Sequence, residues 1–181
     1  RVLLPALVVI AIAMSSARAQ DYPARPVEIV VPFAAGGGSE LLARLLADGL
    51  AKRLGQPFVV VNRPGANTNL GTFSVVRAKA DGYTLLIASV GLAANPSLYK
   101  KLAFEPQRDL EPITLIANSP TLLAVPPSLP VNSLAEFVAY AKARPGELNY
   151  ASYGVGSGPH LATELFCAMT GSNKPPATIT P

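Results

Sequence analysis

Three side chains near the C-terminal end have the types used in nucleophilic catalysis: Ser157, His160, which is the only histidine, and Glu164. A serine nucleophile needs a base within hydrogen-bond reach and a third group that orients the base. His160 and Glu164 stand one helical turn apart and can meet. Gly156-Ser157-Gly158, however, lacks the intervening residues of a Gly-x-Ser-x-Gly elbow. One His and one Cys cannot supply the usual zinc ligand sets. The glycines carry a stronger chemical signal. Phe33-Ala34-Ala35-Gly36-Gly37-Gly38-Ser39-Glu40 and Ser152-Tyr153-Gly154-Val155-Gly156-Ser157-Gly158-Pro159-His160 each lie between a strand-like and a helix-like run. Such a unit aims free backbone N–H groups and the positive end of a helix at one spot, which suits an anion without any charged side chain. Two of them predict a small acid held between two lobes. Taken alone, the first loop reads equally well as a tight turn. Neither loop fits a nucleotide fingerprint: the first has no Gly-Lys-Ser/Thr, and Pro159 stands in the second where a third glycine is required.

The elements that must carry these loops follow from periodicity. Val27–Phe33 is a continuous apolar run, as in a strand buried on both faces. Ser39 reads as an N-cap with Glu40 in the first turn, and Leu41, Leu42, Leu45, Leu46, Leu50 and Leu54 recur at helical spacing until Gly55. Pro57–Asn62 is the next strand, followed by a turn-rich loop and a short helix near Leu70–Ala80. Asp81-Gly82 precedes the strand Tyr83–Ser89. This β-α-β-α-β order predicts an α/β fold with a parallel sheet and right-handed crossovers. Asn95–Leu102 reads as a short helix or turn, and Ile113–Asn118 and Thr121–Val125 as two further strands. Pro126, Pro127 and Pro130 mark a crossing between lobes, and Ser133-Leu134-Ala135-Glu136 is a capping box opening a helix over Leu134–Ala143. Leu148–Ala151 is the first strand after the crossing, and Pro159 suits the first turn of the helix Leu161–Met169. Ser172–Pro181 holds three prolines and no helical period, and reads as loop or disorder.

Length and composition set the frame. At 181 residues the chain is one domain, or one and a half of a two-domain protein, and its 50% hydrophobic content suffices for a core. The net charge of +4 is thinly spread, without Lys/Arg runs interleaved by aromatics, which argues against nucleic acid. Arg1, the apolar run Val2–Met14 and Ala17-Arg18-Ala19 have the three parts of a secretory signal, so residues 1–19 are expected to be cleaved; a membrane anchor is the alternative. The single Cys167 excludes an intrachain disulfide framework, which fits a bacterial periplasm, and on a helix's inner face it reads as a small buried hydrophobe.

An ordered series of motifs resembles the Bug family, the extracytoplasmic solute receptors of tripartite tricarboxylate transporters. They are Tyr22-Pro23-x-Arg25-Pro26-Val27, then Val31-Pro32-Phe33-x-x-Gly36-Gly37-Gly38-Ser39-Glu40 and Ala43-Arg44, and then Leu54-Gly55-Gln56-Pro57. Asn62-Arg63-Pro64-Gly65-Ala66, Asp81-Gly82-Tyr83-Thr84-Leu85-Leu86 and Asn95-Pro96-x-Leu98-Tyr99-Lys100-Lys101-Leu102 continue the series. It ends with Pro145-Gly146-x-Leu148-Asn149-Tyr150-Ala151-Ser152-x-Gly154-x-Gly156-Ser157-x-x-His160-Leu161-Ala162-x-Glu164. The resemblance implies a two-lobed periplasmic binding protein that closes by a hinge around a small carboxylate and hands it to membrane transporter subunits.

On this reading residues 20–125 form the first lobe and residues 126–181 begin an incomplete second one. The candidate ligand-binding residues are Phe33, Gly37, Gly38, Ser39 and Glu40, then Ser89, then Ser152, Tyr153, Gly156, Ser157, Gly158 and His160. No catalytic residue, metal or cofactor is expected. Two departures stand out: Ser39-Glu40 replaces the family's usual Thr-Asp, and Asn67-Thr68 stands where Gly-Gly is frequent. After Gly171 the pattern is lost, which reads as a truncated or frameshifted receptor. The competing readings are an exported hydrolase using Ser157 and His160, and a non-functional remnant.

Overall fold

The computed structural model describes residues 21–152 and 154–172, together with the backbone of residues 177–179. The secretory-type segment lies outside the described residues. The centre of the fold is β1 (Val27–Val31), whose Val27, Ile29, Val30 and Val31 are wholly buried. It pairs in parallel with β2 (Phe58–Asn62) on one side and β3 (Thr84–Leu86) on the other, giving the order β2-β1-β3. A strand flanked on both edges and covered on both faces needs a largely apolar sequence, and Glu28, the one charged residue of β1, is only partly buried and pairs with Arg63 at 2.9 Å.

Helix α1 (Gly38–Leu54) crosses from β1 to β2, and α2 (Asn69–Val76) crosses from β2 to β3. α1 packs on β1 and β2, while α2 packs on β1 and β3. With right-handed crossovers, this strand order places the two helices on opposite faces. The ends of β1 and β3 then form the point where the winding reverses, which is where open α/β sheets place their ligands. Next come α3 (Val90–Leu98), the single turn α4 (Pro106–Asp109) and α5 (Leu134–Ala143). Strand β4 (Tyr150–Ser152), helix α6 (Gly158–Thr170) and strand β5 (Ala177–Ile179) complete the order, with β4 and β5 paired in parallel.

Several expectations are corrected. α1 buries Ala43 and Ala47 against the sheet, whereas Leu41, Leu42, Leu45 and Leu54 are exposed. Small residues let the helix approach the strands closely, so they take the inner face. The N-cap of α1 is Gly37 rather than Ser39, and no side chain caps this end. Ile113–Asn118 and Thr121–Val125 form no strands: residues 110–126 hold no regular structure, and Ile113, Leu115 and Leu122 are among the most exposed apolar residues. High β-propensity makes a strand only where a neighbouring edge supplies the ladder, and no described strand borders this run. Conversely, part of the segment read as loop, Ala177–Ile179, is the strand β5. Cys167 is buried, as expected.

Entry into β1 is fixed at the edge opposite the glycine loops. The Tyr22 hydroxyl donates to Gly82 O at 2.6 Å, and the Ala24 N–H donates to the Tyr83 hydroxyl at 2.8 Å. Arg25 pairs with Asp81 at 3.0 Å and lies 3.8 Å above the Tyr83 ring.

Candidate functional site

The loops after β1, β2 and β3 leave the same edge of a parallel sheet, and α1, α2 and α3 begin there. Three helix N-termini therefore open at one end of the sheet, which favours negative charge.

In the first loop, Gly36–Gly38 are exposed and Ser39 is half-buried. The Asn62 side chain donates to Phe33 O at 3.0 Å and so ties this loop to the end of β2. Glu40 is buried and turns back on its own loop: its carboxylate accepts the Gly36 N–H and pairs with Arg44. The Gly36 N–H, and next to it the Arg44 guanidinium, hold the Glu40 carboxyl below the ordinary range. A depressed folded-state value gives stability that is complete above the unfolded carboxyl pKa of about 4.3 and is lost as pH falls through the lower folded value. Thermal unfolding from about pH 5 down to about pH 3 should therefore fall more steeply for the native chain than for Glu40→Gln. Parallel curves would remove Glu40 from the acid limb.

The second loop is held by its own bonds. Gly154 N–H donates to Ser152 Oγ at 3.3 Å, and the Ser157 hydroxyl donates to Gly154 O at 2.7 Å. Gly156 N–H donates to His160 Nδ1 at 3.3 Å, and His160 Nε2 lies 3.4 Å from Glu164 Oε1. His160 thus positions the loop, with Nδ1 as acceptor and Nε2 facing a carboxylate. Ser157 makes no bond to His160, so the nucleophile–base pair required of a hydrolase is not assembled. The amides of Gly37, Gly38 and Gly158 take no part in these loop bonds among the described residues. Tyr153, the twelfth candidate residue, lies outside the described residues.

The second loop meets the start of α2 and both ends of α3. Gly156 has φ +85°, and a Cβ there would lie 2.4 Å from Asn67 Nδ2 and 2.8 Å from Leu98 Cδ1. Gly158 faces Val90, whose Cγ1 would lie 3.6 Å from a Cβ at this position. Ser89, exposed, caps α3 by accepting the Gly91 N–H at 3.3 Å.

Asn67 and Asn95 belong to the same region and were not among the candidate residues. Asn95 is wholly buried, accepts from Asn67 Nδ2 at 2.7 Å and donates to Asn67 O and Asn69 Oδ1 at 2.8 and 2.7 Å. It holds the run Ala66, Asn67 and Thr68, whose φ angles of 47°, 48° and 73° are left-handed. The sequence signal for this run is Asn67-Thr68 standing where the family favours glycine, the residue that adopts such angles freely. Among the described residues, no group of three or more His, Cys, Asp or Glu could hold a metal ion, and no helix is long and apolar enough to cross a membrane.

A doubly wound lobe with helix starts gathered at its switch point, met by a second glycine loop from a separate sheet, defines the class of α/β solute-binding proteins. Within that class the chain belongs to the family described as tripartite tricarboxylate transporter family receptor (TctC), whose pattern matches residues 42–175. Members of this family are binding receptors rather than enzymes. The chain is 43% identical over 156 residues to Protein BugT of Bordetella pertussis, covering 85% of this chain and 48% of that one. Among solved structures it is similar to R. palustris Rpa4515 with adipate, with a TM-score of 0.82 and 43% identity, over 88% of this chain and 54% of that one. MatC from Rhodopseudomonas palustris with bound malate gives a TM-score of 0.79 and 34% identity, again over 88% and 54%. The chain spans about half the length of the curated relatives it matches.

Proposed function

We propose that this chain is an extracytoplasmic receptor of the periplasm that binds a small dicarboxylate between two lobes. It would deliver that solute to membrane subunits of a tripartite tricarboxylate-type transporter. Residues 20–125 form the first lobe and residues 126–181 begin the second. The observation that carries this reading is the close approach of Gly156 to Asn67, just before α2, and of Gly158 to Val90, the first residue of α3, which supports a second glycine loop lying over these two helix starts. Adipate and malate, held by two similar proteins, are both dicarboxylates. Gly37, Gly38 and Gly158 offer backbone donors, and Ser39 an adjacent hydroxyl. Phe33 and Ser89 flank them, while Glu40 and His160 act on the solute through the loops they brace.

The test is thermal unfolding of the purified chain against a panel of small mono-, di- and tricarboxylates. A ligand of the folded state at about 100 times its Kd adds about 2.7 kcal/mol. For a chain of this size that raises Tm by roughly 5–10 °C. A cooperative transition raised by dicarboxylates and not by their monocarboxylate counterparts is the expected result. A cooperative transition that no acid moves would count against the receptor reading, and the absence of any cooperative transition would favour the non-functional remnant.

A further inference from the structure

One edge of the first sheet has the chemistry to pair with a copy of itself. Val27 N–H donates to Pro57 O at 2.9 Å, and Arg63 N–H donates to Val31 O at 2.8 Å. Successive residues of a strand turn their backbone groups to opposite edges, so Pro57, Val59, Val61 and Arg63 face β1. The N–H and C=O groups of Phe58, Val60 and Asn62 point outward, where no described strand lies. Such edges are commonly blunted by a charge, a proline or a bulge. β2 has none of these: it reads Phe58-Val59-Val60-Val61-Asn62, and its register with β1 is unbroken.

The helix beside this edge is self-complementary. Arg44, Ala47 and Asp48 of α1 line a groove of about 210 Å³ with Phe58 and Val60 of β2. Close by on α1, Leu41 and Leu45 are 62% and 61% exposed. Arg44 bonds Glu40 through Nε and Nη2, which leaves Nη1 for another acceptor. Asp48 is exposed and forms no ion pair among the described residues.

We infer that two copies of this chain join through β2, antiparallel about a two-fold axis at Val60. Val60 then exchanges both backbone bonds with the partner's Val60, and Phe58 does so with the partner's Asn62. A two-fold normal to the sheet keeps both copies of α1 on one face. Because α1 packs over β1 and β2, a strand spacing of about 4.8 Å sets the two helices roughly 10 Å apart, a separation at which helices pack. They run antiparallel, so Arg44 of each copy meets the partner's Asp48, and the exposed leucines lie between them. The same patch serves both copies, as a closed two-fold interface requires. Antiparallel pairing reverses the strand direction, so the helix starts of the two first lobes open at opposite ends of the pair. The inference goes beyond the receptor reading, since β2 and the outer face of α1 build the interface and the glycine loops do not.

Sedimentation and hydrogen exchange of the purified chain from about 1 µM to about 500 µM test it. The native chain should pass from monomer to dimer. Over the same range the amides of Phe58, Val60 and Asn62 should gain protection, while those of Val59 and Val61, already bonded to β1, stay unchanged. Asp48→Lys sets like charges across the axis, and Leu45→Glu puts a charge in the apolar contact. Both positions are exposed, so the monomer should keep its native circular dichroism. Each variant should raise the dimer Kd by roughly tenfold or more. A monomer throughout, or a dimer without that alternating protection, would overturn the inference. Protection already present in the monomer would overturn it too, because another part of the chain would then cover the edge. Assembly beyond the dimer, or dimerisation of both variants within about twofold of native, would also count against it.

Discussion

Gly156→Ala is expected to reduce dicarboxylate affinity by about 100-fold or more, whereas Gly154→Ala is expected to reduce it by less than about tenfold. Both glycines have positive φ, +85° and +115°, so both variants carry the left-handed strain of an L side chain, roughly 1–2 kcal/mol. What separates them is space. A Cβ at Gly154 meets nothing within 4 Å, while one at Gly156 lies 2.4 Å from Asn67 Nδ2 and 2.8 Å from Leu98 Cδ1. Asn67 cannot swing away cheaply, because its amide is held by the buried Asn95. The alanine methyl must therefore lift the second loop away from Asn67 and Leu98. Lifting it also pulls on the Gly156–His160 bond that braces the loop. Each 1.4 kcal/mol is a factor of ten in Kd, so strain plus clash together reach two orders of magnitude. Calorimetric titration of both variants with the same acid is the measurement. Equal losses would show that backbone strain alone matters and that the approach of Gly156 to Asn67 carries no part of binding.

Much of the scaffold was legible because it rests on local signals. The N-cap read at Ser133 is present: Ser133 Oγ accepts the Glu136 N–H at 3.2 Å, Glu136 reaches back one residue further and accepts the Asn132 N–H at 2.7 Å, and the helix runs Leu134–Ala143. Gly55 ends α1 in the left-handed conformation, and the succession of β1, β2 and β3 along the chain follows from their apolar runs. What was hidden depends on partners distant in sequence. The residues Thr121–Val125 look like a strand, and without a bordering edge they are not one. The short helix or turn read at Asn95–Leu102 is a helix over Val90–Leu98; Gly91 hid its first turn, yet its start is fixed by Ser89 and its Asn95 is bound by the loop after β2. The site divides in the same way. The glycine loops are visible as local patterns, and their bracing by Glu40 and His160 could be sought at the i, i+4 spacings Glu40–Arg44 and His160–Glu164. The pairing of Asn67 with Asn95 has no local signature, because α2 and β3 separate its members.

Asn95→Ala is expected to destabilise the chain by about 3 kcal/mol and to lower Tm by roughly 6–12 °C. The side chain is wholly buried and its three hydrogen bonds all run to the stretch Asn67–Asn69. Truncation leaves Asn67 O and Asn69 Oδ1 without their donor in a region that water reaches poorly, so the cost exceeds the net worth of the bonds themselves. It also frees a segment held at three successive positive φ angles, Ala66 to Thr68, whose strain persists only while the surroundings fix it. Asn95→Asp separates the two effects. Its Oδ atoms can still accept from Asn67 Nδ2, but at neutral pH the second oxygen sets a negative charge against Asn67 O and Asn69 Oδ1. Burial disfavours that charge, so the introduced carboxyl group would titrate above the ordinary carboxylate range in the folded state. The variant should then be less stable than Asn95→Ala at pH 7 and recover toward it as the pH is lowered past that raised value. Thermal unfolding of the two variants at pH 7 and at about pH 5 reads this difference directly. If Asn95→Ala unfolds within about 1 kcal/mol of native, the asparagine network does not hold the loop. The left-handed run Ala66–Thr68 would then owe its conformation to its own backbone alone.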